Sequence, residues 1–404
     1  MLRAAMDVGR RAGWGILCFG LALGLAVSPV WAQRAAMPAA PEVAAQAYLL
    51  FDMTTGNVLA AHNEQAPVEP ASLTKLMSAY VVFDALQAGR IKLTDRMVVS
   101  ERAAAMPGSR MFAPRGERIA VEDLLKGMIV QSGNDATVAL AEGVAGSVEA
   151  FVERMNLQAQ ALGLRQTRFV NPEGLNAPGH SSTAADLATL SYRLLQDFPQ
   201  YAGFYAIQRW RYPGTPAANE NNRNILLFRD PTVDGLKTGY TRAAGFCIVA
   251  TARRHFAALG EGPEGERRLL AVVLGAGSDN ARATEAQKLL NWGYTATDVV
   301  RLFAPDQPVA TVPIWQGKSS QLALGLPQGV LINTPAGQAS QLRTELVRHD
   351  PIIAPKRRGE TLGSLRVLNA RNELVADIPL QVLDTVPEAG LWGRFWGALR
   401  LWLQ

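Results

Sequence analysis

The sequence predicts an α+β fold: an antiparallel sheet with helices packed on it, then a small all-β domain and a C-terminal amphipathic helix. Two patterns predict it. Strand-like stretches open the chain, helix-like stretches fill its middle, and strands with one more helix return before residue 298. The two ends of that region are therefore expected to share one sheet. Beyond residue 298 only short alternating stretches remain, separated by Pro and Gly, as in a small β domain. With 404 residues the chain has room for two or three such units and a large core.

The elements follow in order. Residues 1–32 read as an export signal: Arg3, Arg10 and Arg11 form a basic flank, "GWGILCFGLALGLAV" is apolar, and "VWA" ending at Ala32 carries small residues at cleavage spacing. The alternative is a transmembrane anchor, against which the run's shortness and Pro29 stand. Residues 33–42 are an Ala- and Pro-rich tail. "AYLLFDMTTGNVLAAHN" predicts two strands around a Thr-Thr-Gly-Asn turn. "SLTKLMSAYVVFDALQAG" is apolar nearly all round at its centre, which predicts a core helix starting at Ser72 and closed by Gly89. "AVEDLLKGMIVQ" and "DATVALAEGV" predict two helices joined by "SGN", and further helices are expected at 148–162 and 184–197. "VDGLKTG", "GFCIVATARR" and "RLLAVVLGAG" predict strands, the last two a hairpin around a Gly-Pro loop, and "NARATEAQKLLNWGY" predicts a helix.

"VATVPIW", "QLALGL" and "SLRVL" supply the β domain. The tail "PEAGLWGRFWGALRLWLQ" repeats Trp392, Phe395, Trp396, Leu399 and Leu403 at helical spacing, with Arg394 and Arg400 as its only charges past Glu388. An aromatic and basic helix of this kind suits the plane of a membrane surface; the alternative is a helix docked on its own domain. The domain limits are set at 1–32, 43–297, 298–386 and 387–404.

Composition narrows the function. The formal net charge is +5, of which the first 32 residues hold +2, and Lys and Arg are spread along the chain; no nucleic-acid partner is expected. Of two cysteines, Cys18 lies in the leader, so Cys247 has no internal partner and reads as a small buried hydrophobe. The four histidines show no metal-ligand spacing, and neither metal nor cofactor is expected.

The chemistry starts at Ser72 and Lys75, three apart on one helical face. A serine hydroxyl needs a base, and lysine becomes one when burial or a neighbouring cation disfavours its charged form. Helix N-terminal N–H groups can stabilise an oxyanion. Alone, Ser-x-x-Lys is expected about once by chance in a chain this long. Ser132-Gly133-Asn134 follows about 60 residues later and Lys237-Thr238-Gly239 about 100 after that; the ordered set is far more specific. Taken singly, Ser132 and Asn134 could cap a helix, Lys237 could be a solvated strand residue and Gly239 a bulge.

This set resembles the penicillin-recognising serine hydrolases. With "MFAPRGERIAVEDLLKGMIVQSGNDA", "NPEGLNAPGHSSTAADLA" and "VDGLKTGYTRAAGFC" it is similar to the serine-type D-alanyl-D-alanine carboxypeptidases of the low-molecular-weight penicillin-binding proteins, over residues 43–297 and more weakly beyond. The resemblance implies a transpeptidase/β-lactamase-like domain with a helical subdomain. It implies that Ser72 attacks the penultimate D-alanine carbonyl of a peptidoglycan stem peptide and Lys75 takes its proton. Ser132 relays a proton to the leaving D-alanine, and Asn134 binds the substrate amide. Lys237 attracts the terminal carboxylate and helps keep Lys75 neutral, Thr238 contacts that carboxylate, and Gly239 leaves room for substrate. The N–H groups of Ser72 and Tyr240 form the oxyanion hole. Well-known members carry histidine where Tyr240 stands, so a pH dependence resting on that histidine does not transfer.

The resemblance further implies an exported enzyme on the periplasmic face of the cytoplasmic membrane, held peripherally by residues 387–404. It would trim stem pentapeptides and be acylated by β-lactams, with no cofactor. A β-lactamase is the nearest rival. "SDN" at 278–280 comes after KTG and reads as a helix cap, and "ERMN" at 153–156 reads as surface helix. With no glutamate placed to activate water, rapid β-lactam hydrolysis is not expected. A lipase-type Gly-x-Ser-x-Gly is absent. A non-catalytic envelope protein would not need the full Ser, Lys, Ser, Asn and Lys set.

Overall fold

The computed structural model describes residues 37–260, 265–392 and 394–396. The predicted leader, residues 1–32, lies outside them. β1 (Ala47–Asp52) and β2 (Asn57–His62) pair across the predicted turn, where Gly56 has φ +77°. α1 (Lys75–Gln87) follows. Eleven of its thirteen residues are buried, which is why its apolar pattern shows no single stripe. β3 (Arg96–Val98), α2 (Glu101–Ala104) and β4 (Arg118–Ala120) form a small satellite, with β3 and β4 paired. These elements, three or four residues each, are too short to give a periodic signal in the sequence. α3 (Val121–Val130), α4 (Asn134–Ala145), α5 (Val148–Ala161) and α6 (Ala184–Asp197) match the predicted helices. Ser147 and Thr183 cap α5 and α6, their hydroxyls accepting from Ala150 and Asp186 N–H.

α7 (Leu226–Arg229), β5 (Val233–Thr241), β6 (Gly245–His255), β7 (Glu266–Ala276) and α8 (Asp279–Ala296) complete this part. Its sheet has the order β2-β1-β7-β6-β5, antiparallel throughout, so both ends of the region do share it. Alternation along β6 and β7 divides the side chains between two cores. Cys247, Val249, Leu270, Val272 and Leu274 face α1 and α3–α6. Ile248, Ala250, Ala252, Leu269, Ala271 and Val273 face α7 and α8. Burial on both faces explains why these strands read as continuous apolar runs.

The β-rich part comprises β8 (Thr297–Phe303), β9 (Pro308–Pro313), β10 (Gln321–Gly325), β11 (Val330–Pro335), β12 (Arg343–Val347), β13 (Thr361–Leu368) and β14 (Leu374–Val382). It forms a sheet β12-β13-β14-β10-β9 and a pair β11-β8 around its own core. The two parts meet at a buried polar cluster. Arg267, fully buried, donates to Asp52 Oδ2 at 2.8 Å and to Thr297 O and Oγ1 at 2.7 Å each. Asn333 of β11 donates to the same carboxylate at 2.7 Å. Removing one member would leave a buried charge unpaired, so the cluster ties the β domain to the edge of the sheet.

Candidate active site

Before α1 the chain makes a 3-10 turn over Ala71–Thr74, so Ser72 precedes the α-helix and Lys75 is its first residue. The predicted start at Ser72 is corrected by one turn. The reason is local: Gly174 is packed so tightly beneath Ala71 that a Cβ there would lie 1.9 Å from Ala71 O, and Ala71 is held at φ +48°. Ser132 also sits in the left-handed region, at φ +62°. Strain at two non-glycine residues beside one cleft is the kind a functional site stores.

Lys75 is buried, and its ammonium has three acceptors: Ser72 Oγ at 3.0 Å, Asn134 Oδ1 at 2.7 Å and Glu173 O at 2.6 Å. Burial pulls its pKa down from 10.5 to about 7, against the opposing pull of the Glu173 and Asp135 carboxylates. When the amine is neutral, the last two acceptors can keep its two N–H bonds, and its lone pair is left for Ser72 Oγ.

Lys237, also buried, donates to Ser132 Oγ at 2.9 Å and to Thr238 O at 3.0 Å. Burial leads in holding it well below its ordinary value, and Lys75, Arg282 and Arg223 add to this. The repulsion between Lys75 and Lys237 is mutual and disfavours the charge on both amines, while burial is the leading cause at each. A substrate carboxylate arriving beside Lys237 would supply the missing counter-charge.

Ser72, Lys75, Ser132, Asn134 and Lys237 thus form one constellation, with Thr238 and Gly239 on the strand beside it. The simpler readings of the single motifs do not hold. Neither Ser132 nor Asn134 caps α4; Asn134 donates instead to Pro107 O at 2.7 Å, and its N–H reaches Ser109 O at 2.7 Å. Gly239 pairs with Cys247 in regular register, with no bulge there. A Cβ on Gly239 would stand 3.0 Å from Ser72 N, so the missing side chain lets the Ser72 turn pack closely on this strand. Tyr240 is 55% exposed at the rim, its ring 4.3 Å from that of Phe246. The cleft, about 370 Å³, is bounded by Ser72, Asn134, Glu173, Arg110, Arg223 and Tyr240 among others.

Sequence reasoning assigned no role to four supporting residues. Asp135, one position past SGN, accepts from Met111 N–H at 2.9 Å and Ala113 N–H at 3.1 Å and so shapes the 107–113 wall. Arg282 donates to Gly239 O at 2.9 Å and steadies β5. Glu173 and His180 lie in "NPEGLNAPGHSS". His180 Nδ1 accepts from Val170 N–H at 3.0 Å, so Nε2 carries the hydrogen and donates to Thr74 Oγ1 at 2.8 Å. Of the two decoys, Ser278 caps α8. Glu153 is exposed on α5, while Asn156 fastens Phe169 through both its amide atoms. Among the described residues no His, Cys, Asp or Glu cluster could hold a metal.

A serine against a buried lysine, with a second serine and lysine opposite, on an antiparallel sheet covered by helices, defines the penicillin-recognising class of serine hydrolases. Residues 34–278 match the D-alanyl-D-alanine carboxypeptidase family, and residues 298–388 match the C-terminal domain of penicillin-binding protein 5. The chain is 40% identical to the D-alanyl-D-alanine carboxypeptidase DacC of Escherichia coli, over 88% of each chain. Penicillin-binding protein 5 from Haemophilus influenzae superposes with a TM-score of 0.80 at 33% identity, covering 87% of this chain and 100% of its own. Penicillin-binding protein D2 from Listeria monocytogenes, solved in an ampicillin-bound form, gives 0.56 at 28% identity over 64% of this chain and 100% of its own. The chain belongs to the D-alanyl-D-alanine carboxypeptidase family of serine peptidases.

Proposed function

We propose that the chain removes the terminal D-alanine from peptidoglycan stem pentapeptides through an acyl-enzyme on Ser72. Neutral Lys75 takes the Ser72 proton as Oγ attacks the penultimate carbonyl. The Ser72 and Tyr240 N–H groups receive the oxyanion. Ser132, bonded to Lys237, passes a proton to the departing D-alanine nitrogen and is reprotonated from the Lys75 ammonium, which returns Lys75 to its neutral form. Asn134 holds the substrate amide, and Lys237 with Thr238 holds the terminal carboxylate. Water then attacks the ester carbon and gives a proton to neutral Lys75, which passes it to Ser72 Oγ as the tetrapeptide departs. The observation that carries this reading is the 3.0 Å contact between Ser72 Oγ and a buried amine whose pKa lies near 7.

β-Lactams mimic the D-alanyl terminus and should acylate the same oxygen. The ampicillin-bound relative supports this, since that protein binds the drug. We assign the catalytic part to residues 43–297 and the β domain to 298–386. The protein would be exported and held at the periplasmic membrane surface by 387–404. Ser72→Ala is expected to abolish both D-alanine release from a pentapeptide and covalent labelling by a fluorescent penicillin; retained turnover would overturn the assignment.

A further inference from the structure

The segment that holds Lys75 from below also brings a carboxylate into the site. Ser78 Oγ of α1 donates to Pro172 O at 2.5 Å, and Lys75 donates to Glu173 O. Asn171 Oδ1 accepts from Gly174 N–H at 2.7 Å, and its amide donates to Leu175 O at 2.8 Å. Gly174 is wedged beneath Ala71. Residues 171–175 are therefore locked in place, and the Glu173 side chain with them. It is 6% exposed. It lies between the catalytic cleft and a second cavity of about 260 Å³ whose walls include Val138, Val148, Val152 and Val170.

We propose that the Glu173 carboxylate is a positioning charge that sets the pH range over which Lys75 can accept the Ser72 proton. This rests on the Ser72–Lys75 reading above and deepens it. A buried anion in the residue whose carbonyl holds the amine favours the ammonium form, so it delays the appearance of the neutral base as pH rises. Lys75 and Glu173 act on each other in this sense, and burial opposes both charges.

Two carboxylates favour the charged form of Lys75, Glu173 more strongly than Asp135. Asp135 at the head of α4 is engaged by three backbone N–H groups and lies 3.8 Å from Arg110. Arg102 of α2, which draws on Glu173 from the far side, is paired with Glu149 of α5 at 2.7 Å. Lys237 on β5, with Arg223 and Arg282 around it, faces Lys75 across the cleft. The sequence reading gave Glu173 no role, because a loop and not a helical or strand spacing brings it to the site.

The test is the rate of Ser72 labelling by a pH-insensitive fluorescent penicillin, measured on the full chain from pH 5 to 9. For the wild type the rate should climb through about pH 7. Glu173→Gln removes the anion, so the climb should move to lower pH by about half a unit or more. Below the climb, at pH 6, the variant should then label about threefold faster than the wild type. Glu173→Asp keeps the charge and should follow the wild type. Slower labelling at every pH with the climb unmoved would mean that Glu173 only supports the loop, and would overturn the inference. A wild type that takes no label would overturn the Ser72 reading and this inference with it; a labelled wild type with an unmoved Gln variant overturns the inference alone.

Discussion

His180 ties the Ser72 turn to the Glu173 loop, and it does so only as a neutral ring. Protonation at Nδ1 would cost the Val170 hydrogen bond, and burial drives the ring's pKa down from 6.5 to about 4. Between those values the unfolded chain binds a proton that the folded chain does not. His180 therefore costs no stability above about pH 6.5 and an increasing amount as pH falls toward 4. From pH 7 to 5 the loss is about 2 kcal/mol at most. His180→Gln should lower the urea midpoint at pH 7, by losing the fit, yet show a shallower fall between pH 7 and 5 than the wild type. Parallel falls would refute the buried neutral ring. Residues of this kind were not legible beforehand. The sequence displayed Ser72, Lys75, Ser132, Asn134 and Lys237 because their spacing in the chain is distinctive. His180, Glu173 and Asp135 act through burial and backbone contacts that have no spacing.

At the scale of elements, long periodic segments were legible and close approaches were not. The core helix, the helices about SGN and the three late strands follow from apolar runs of sufficient length. The one-turn error at Ser72 arose because a contact between two loops, Gly174 under Ala71, decides where α1 begins. That contact gives a paired test. Gly174→Ala places a Cβ 1.9 Å from Ala71 O at φ +86°, so the 171–175 loop must lift from the Ser72 turn. Penicillin labelling should slow by more than about tenfold, since displacing Glu173 O removes one of the three acceptors that orient Lys75. Gly179→Ala has nearly the same φ, +82°, with nothing within 4 Å of the new Cβ. It should cost about 1 kcal/mol of stability from backbone strain and leave labelling intact. Equal labelling rates in the two variants would show that the wedge does not orient the site.

At the scale of the whole molecule, the β domain serves as the base from which the tail departs. Gly317 bridges to Glu388, and Ala389 N–H donates to Gln316 O at 2.8 Å, so the chain is fastened up to residue 389. Immediately beyond, residues 391, 392 and 394–396 are helical and turn large apolar groups outward: Leu391 is 84% exposed, Trp392 79%, Phe395 60% and Trp396 57%. So much contiguous apolar surface is unfavourable in water and needs an apolar cover. Among the described residues no helix is long and apolar enough to cross a membrane. A helix lying in the interface, with tryptophans at headgroup depth, satisfies both observations. Arg394 and Arg400 are too few for charge alone to hold it. Deleting residues 387–404 should therefore move the protein from the membrane to the soluble envelope fraction while penicillin labelling of Ser72 persists. In the intact chain this reading expects a high-salt wash to leave the protein bound and detergent to release it, because attachment through a buried aromatic face would not be screened by salt. Release of the intact protein by salt alone, or continued membrane association of the truncated one, would exclude the tail as an interfacial anchor.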